Sequence, residues 1–356
     1  MRSLFFVALV TSLGCSSTQA AQDGGNDATV STDASDAASD TSPLADAEPE
    51  AGDASDTAAP TIIFGMYDNT AIAPGAETPT AANFRAIANK WMDGSRINVH
   101  RVFDDETSFP ANYATSAGGQ DPASGNVSFL SVKPPNDDHA GVAAGTYNAQ
   151  ITTLAASIPA GSYFTMWHEP ENDMSATDFV AMFQKFYTVA KAANANITIG
   201  YIAMAYQWGM GMASTASEDP WYPGDAYTDF LAVDAYDPGY SGQHSLDTEA
   251  DFQRWFTWAQ KWNKPLLITE YGVENASSTN GFTDTVRATI IAKSIAYAAG
   301  YPSIKMMLYW NGTDATPGGT NWFLNPTTSF PTDSYAQARA AWNAGVATYG
   351  TTGTSY

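Results

Sequence analysis

Cysteine is nearly absent from this chain of 356 residues: Cys15 is the sole one. A mature domain with no second thiol holds no disulfide, so its core must stabilise it unaided. Histidine is scarce as well. His100, His139, His168 and His244 are the whole set, and none shows the close paired spacing of a zinc-binding helix. No metal and no cofactor are therefore expected. Cations are outnumbered, with 15 Lys and Arg against 37 Asp and Glu. Ten of those acids fall in 21–60, where there is no base. With Arg2 of the leader set aside, the remainder still holds 27 acids against 14 bases. Such a balance argues against nucleic acid as a partner. Also missing are a glycine-rich phosphate loop, a serine nucleophile elbow and a Cys-His pair. Nucleotide-dependent chemistry and serine or thiol hydrolysis are set aside on that ground.

What the chain does have begins with a leader. Arg2 supplies a positive end, and the apolar run at 4–10 is too short to span a membrane. Leu13-Gly14-Cys15 resembles a bacterial lipoprotein signal, in which the cysteine becomes the lipidated first residue. The alternative is ordinary secretory cleavage after Thr18-Gln19-Ala20. A lone cysteine at this place has no disulfide partner, which favours lipidation and a membrane anchor; either route exports the protein. Residues 1–20 are thus expected to be a signal peptide. Residues 21–60 repeat Asp, Ala, Ser and Thr with almost no large apolar side chain. Such a segment buries too little surface to offset its ordering entropy, and a disordered tether is expected there.

From 61 to 356, short apolar runs alternate with amphipathic segments. The runs lie at 61–67, 96–103, 127–132, from Tyr163 to the charged residues at 168–171, 197–204, 230–236, 266–271 and 304–310. Helical spacing occupies 81–92, 147–158, 176–193, 250–262, 282–299 and 335–349. Alternation of this kind implies a parallel sheet, and eight units in this length imply a (β/α)8 barrel forming one domain. The competing doubly wound sheet normally carries a glycine-rich first turn, and none is present. Asp68, Arg101, Lys133, Glu169, Tyr236, Glu270 and Trp310 collect at the C-terminal ends of the runs. In a barrel that end is the active face.

Two of these ends matter most. The fourth run breaks off in Trp167-His168-Glu169-Pro170-Glu171, and the seventh contains Thr269-Glu270-Tyr271-Gly272. Carboxylates that end buried strands are costly unless they face a cleft. Pro170 stops the ladder and is expected to bias Glu169 to an extended backbone. Glycosidic bond cleavage requires two carboxyl groups, and a separation of about 5–5.5 Å supports the retaining mechanism. Glu169, beside Trp167 and Pro170, is the candidate to stay protonated. Glu270 is the candidate to stay ionised, with Arg101 as its cation, although Asp104 or Glu106 offers Arg101 another anion. Glu171 is a rival acid.

The two motifs resemble the clan A glycoside hydrolases, (β/α)8 enzymes with acid/base and nucleophile glutamates on strands four and seven. In most of that clan an Asn precedes the acid/base residue. Here His168 does, which resembles glycoside hydrolase family 26, the family of β-mannanases and some β-1,3-xylanases and β-1,3-1,4-glucanases. The resemblance covers roughly 61–350. It implies Glu169 as acid/base, Glu270 as nucleophile and His168 as a sugar-hydroxyl or supporting partner. Pro170-Glu171-Asn172-Asp173 departs from the Asn-Gly or similar turn and tryptophan-rich loop that often follow in that family.

The resemblance also implies Tyr236 as a hydrogen-bond donor to the nucleophile and Trp310 as the floor of the sugar site. Arg101 and Lys133 complete the substrate-binding candidates. Trp208, Trp221, Tyr222 and Trp322 lie in loops that could line further sugar subsites. Asp104-Asp105-Glu106 reads as a solvated loop rather than a calcium site. The expected protein is an exported, monomeric, retaining glycoside hydrolase acting on a polysaccharide of mannan, xylan or glucan type. Its rival is a surface lipoprotein that binds carbohydrate without cleaving it.

Overall fold

Eight parallel strands close into a barrel in the computed structural model, in the order β1 to β8 and back to β1. The structure describes residues 62–68, 81–104, 109–209, 218–237, 243–275, 282–312, 321–325 and 334–356. The expected signal peptide at 1–20 with Cys15, the expected tether at 21–60, Asp105 and Glu106 lie outside the described residues.

The strands are β1 (Ile63–Asp68), β2 (Ile97–Asp104), β3 (Val127–Val132), β4 (Tyr163–Met166), β5 (Thr198–Met204), β6 (Phe230–Asp237), β7 (Leu266–Val273) and β8 (Ile304–Asn311). The helices are α1 (Ala81–Trp91), α2 (His139–Ala144), α3 (Asn148–Ser157), α4 (Ala176–Ala193), α5 (Ala205–Gly209), α6 (Ala250–Ala259), α7 (Asp284–Ala299) and α8 (Ala336–Tyr349). β1 and β8 pair without interruption from Ile63 opposite Met306 to Asp68 opposite Asn311, which completes the ring.

Two apolar clusters divide the work. Ile63, Val99, Phe129, Tyr163, Phe230, Leu267, Met306 and Leu308 form one that fills the lower part of the barrel. The strand residues of opposite parity pack outward against the helices. α4 shows why: Phe179, Met182, Phe183, Phe186 and Ala190 recur at helical spacing and are all buried. Ser175 caps that helix by accepting the Asp178 N–H. Gly65 is required in β1, because a Cβ there would stand 2.1 Å from the Val99 carbonyl oxygen.

Between β2 and β3 the described chain has short 3-10 turns instead of an α-helix. A buried polar network holds this crossover. Asp121 Oδ1 lies 2.8 Å from His100 Nδ1 and accepts Asn126 Nδ2–H at 3.1 Å, while Oδ2 accepts the Ser128 hydroxyl at 2.5 Å. His100 and Asp121 have no exposed surface, and the imidazole stacks on Phe84 of α1. At the strand-start end the C-terminal segment crosses the barrel: the Ile62 N–H donates to the Tyr349 carbonyl at 2.8 Å and the Tyr163 hydroxyl to that of Thr354 at 2.9 Å.

Asp121→Ala leaves the His100, Ser128 and Asn126 side chains without their shared acceptor in a closed space. The expected loss is about 3–5 kcal/mol of unfolding free energy, read as a lowered urea midpoint with unchanged slope.

Candidate active site

The residues at the strand C-termini converge because of two local irregularities. Inward positions in β7 include Leu267, so simple alternation would turn Thr269 inward and Glu270 outward. The pairing slips: Val233 stands opposite Ile268, but the next residue, Asp234, stands opposite Glu270. This extra residue in β7 is a bulge, and it swings Glu270 into the barrel mouth. The second irregularity follows β4. Trp167 and Glu169 both have left-handed backbones, at φ 61° and φ 52°. The expected extended conformation before Pro170 is therefore not found. A hydrogen bond from the Glu169 N–H to the Ile202 carbonyl (3.1 Å) and one from the Trp167 N–H to that of Val132 (3.0 Å) fix the turn instead. Each left-handed residue costs about 1–2 kcal/mol, which tertiary contacts must offset.

Glu270 is 6% exposed and doubly held. Its Oε1 faces Arg101 Nη2 at 3.4 Å, and its Oε2 accepts the Tyr236 hydroxyl at 2.6 Å. Arg101 has no exposed surface. Its Nη1 donates to the Ser131 hydroxyl at 2.7 Å, and its guanidinium lies over the Phe103 ring at 4.1 Å. Of the described anions open to Arg101 by sequence, Glu270 is the one it meets; the Asp104 carboxylate accepts the Ala117 N–H, and Glu106 lies outside the described residues.

A third carboxyl group, absent from the candidates named by sequence, completes the set. Asp234 is 2% exposed; Oδ1 accepts the Thr269 hydroxyl at 2.6 Å, and Oδ2 has no hydrogen-bond partner among the described residues. The signal was available, since an acid two residues before Tyr236 in an apolar strand shares its face.

Burial pushes Glu169 well above the usual carboxylate range, and the neighbouring Glu270 and Glu171 charges add to it. Burial raises Asp234 strongly too, again helped by Glu270 and Glu169. Burial also raises Glu270, but Arg101 and the Tyr236 hydroxyl oppose it. One guanidinium beside three carboxyl groups therefore leaves Glu270 as the anion, while Glu169 and Asp234 keep their protons. His168 is held neutral, first by burial and then by Arg101 and Lys133.

An aromatic wall stands beside Glu270. Trp310 stacks on Tyr67 at 4.0 Å and 16°, with Phe103 edge-on at 5.7 Å. Trp322 lies 5.0 Å from Tyr236, a contact open only because residue 272 is glycine: a Cβ there would sit 2.7 Å from the indole. His168 tilts against Phe103 at 5.0 Å.

Other candidates have partners of their own. Lys133 pairs with Asp173 at 3.3 Å, which also accepts the Trp167 indole N–H at 2.7 Å, so it braces the turn. Asp68, placed by sequence at the active face, is buried and accepts from Asn311 at 2.9 Å. Trp208 and Trp221 are buried in the core, and Tyr222 packs on Trp258 and Trp262. The rival acid Glu171 turns away from Glu270 and accepts the Met204 N–H. Among the described residues no group of three or more His, Cys, Asp or Glu is placed to hold a metal ion.

Comparison with protein-family models returns no match, and neither does comparison with curated proteins. Solved structures do match. The Ignisphaera aggregans GH53 catalytic domain is 16% identical, with a TM-score of 0.53 over 80% of this chain and 96% of that one. The catalytic domain of the Bacillus sp. JAMB-750 GH26 endo-β-1,4-mannanase is 15% identical, with a TM-score of 0.53 over 81% of this chain and 86% of that one. A modular GH26 endo-β-1,4-mannanase from Cellulomonas fimi is 18% identical, with a TM-score of 0.52 over 81% of this chain and 70% of that one. At these identities the likeness is one of fold: the chain carries the (β/α)8 barrel found in these glycoside hydrolases.

Removing the guanidinium tests the charge assignment directly. In Arg101→Met the Glu270 carboxyl is expected to titrate higher than in the wild type, because the cation that favours its charged form is gone. Carboxyl-labelled NMR, assigned with Glu270→Gln, reads the shift.

Proposed function

We propose that this chain is a retaining glycoside hydrolase that cleaves β-linked polysaccharide by double displacement. The observation that carries the reading is the shared mouth of Glu169 and Glu270, with Arg101 and Tyr236 holding the second as an anion. Ionised Glu270 attacks the anomeric carbon as Glu169 delivers its proton to the departing glycosidic oxygen. The C–O bond breaks and a glycosyl ester forms on Glu270. Glu169, now a carboxylate, takes a proton from water; that water attacks the same carbon and releases Glu270. The barrel wall of Trp310, Tyr67 and Phe103 supplies rings on which the C–H face of a sugar stacks.

β-1,4-Mannan is the first substrate to test, because two of the matching structures are named as mannanases acting on that linkage. Xylan, β-1,3-glucan and mixed-linkage glucan complete the panel. The leader and the acidic stretch at 21–60 support export, with Cys15 as the lipid anchor and the barrel carried clear of the membrane as a monomer. No described helix is long and apolar enough to cross a membrane.

Glu270→Ala and Glu169→Ala are each expected to lower turnover by about 10³-fold or more. Azide restores part of the activity of Glu169→Ala on an activated aryl glycoside. NMR of the first-formed product shows the β-anomer. Full activity in Glu270→Ala, or an α-anomer formed first, overturns the mechanism. The pH profile follows the proton assignment: the acid limb reports ionisation of Glu270, and the alkaline limb reports loss of the proton-donating state of Glu169.

A further inference from the structure

Glu171 lies two residues beyond Glu169, and the chemistry above does not use it. Its Oε1 accepts the Met204 N–H at 2.9 Å and stands 3.4 Å from the Tyr201 hydroxyl. That hydroxyl donates to Asp219 Oδ2 at 2.8 Å, and Asp219 Oδ1 accepts the Trp221 N–H at 2.9 Å. Glu171 is 9% exposed, Asp219 8% and Tyr201 not at all. Glu171 Oε2 is buried with no hydrogen-bond partner among the described residues.

Three segments meet at this cluster. The turn after β4 brings Glu171, with Glu169 and Asp173 on either side. β5 brings Tyr201, and the segment at 218–222 brings Asp219. α4 contributes the apolar Phe179, 5.6 Å from the Tyr201 ring. Among the described residues, neither carboxyl group has a Lys, Arg or His partner, and their charged neighbours are acids and a tyrosine. Two carboxyl groups therefore share one hydroxyl proton with no cation to neutralise them. Burial pushes Glu171 up to about 8 and Asp219 up to about 6. Near neutral pH Asp219 carries the charge and Glu171 the proton.

The turn needs an external hold. Trp167 and Glu169, both left-handed, flank His168, and such backbones persist only where the surroundings over-determine them. The Glu171 carboxyl ties the C-terminal limb of this turn to the end of β5. Ionising it would strengthen one N–H···O bond. It would also place a second buried charge beside Asp219, and the cost of desolvating that charge outweighs the gain.

We propose that Glu171 is a positioning residue for Glu169: protonated, it latches the acid/base turn to β5 through the Met204 N–H, and ionisation at alkaline pH releases the latch. The idea rests on Glu169 being the proton donor, and two readouts separate its failure from failure of that assignment. The first needs no catalysis. Near-ultraviolet circular dichroism and tryptophan emission, which sense Trp221 and Trp167, are expected to change with a midpoint at about pH 8 in the wild type. They are expected to stay flat in Glu171→Gln, which keeps an acceptor but cannot ionise. A flat wild type, or the same transition in Glu171→Gln, overturns the latch.

The second readout compares phenyl and dinitrophenyl glycosides of one sugar at about pH 6, where the latch is closed. Glu171→Ala is expected to lose about tenfold or more in kcat/KM on the phenyl glycoside and less than about threefold on the dinitrophenyl one, whose leaving group departs without protonation. Glu171→Gln restores most of the loss. Equal losses on both substrates overturn a role through Glu169. Should the wild type cleave no glycoside, the catalytic reading falls, and the spectroscopic transition still decides the latch.

Discussion

The site depends on one buried cation. Arg101 has no exposed surface, and it keeps its place through the Ser131 hydroxyl and the Phe103 and Phe129 rings. A guanidinium shut away from water demands an anion. Glu270 supplies it, and that choice fixes the state of everything nearby. Once Glu270 holds the negative charge, Glu169 and Asp234 cannot ionise cheaply beside it. Two similar carboxyl groups are thereby given opposite protonation states, which acid/base catalysis with a nucleophile requires. Tyr236 reinforces the asymmetry by donating to Glu270.

The barrel delivers these groups by departing from regularity at two places. The β7 bulge trades ladder pairing for an inward Glu270. The turn after β4 accepts two left-handed residues so that Glu169 leaves the strand at an angle no ladder permits. Both departures are held from outside. Thr269 bonds Asp234 on β6 at the bulge, while Trp167, Asp173 and Lys133 brace the turn from one side and Met204 holds it from the other. Strain stored at the candidate site, and offset by surrounding contacts, keeps these carboxyl groups placed.

The fold was legible because its signal is redundant. Eight apolar runs separated by amphipathic stretches repeat the same message, and an error in one does not alter the count. Phe179, Met182, Phe183 and Phe186 were readable as one buried helix face from spacing alone. Arg101 was readable because a cation ending a buried strand needs an anion, although Asp104 and Glu106 competed with Glu270 for it; the role of Tyr236 followed from the resemblance to clan A enzymes. Asp234 was missed although its parity with Tyr236 put it on the same face. Lys133 and Arg101 looked alike in the sequence, each a cation ending a strand, yet one meets Glu270 and the other Asp173.

Local pattern by itself determined the strand count, the strand ends that carry Glu169 and Glu270, and the acidic balance that argues against nucleic acid. These follow from hydrophobic period and composition, which are properties of neighbouring residues. Only the tertiary structure decided which carboxyl group stays charged. That depends on the distance from Arg101 to Glu270, on a bulge set by pairing between β6 and β7, and on the burial of Asp234 and Glu270 near Glu169. Electrostatic energy in a closed, weakly polarisable space depends on separation and solvent exposure, and neither is written in the spacing of residues along a strand.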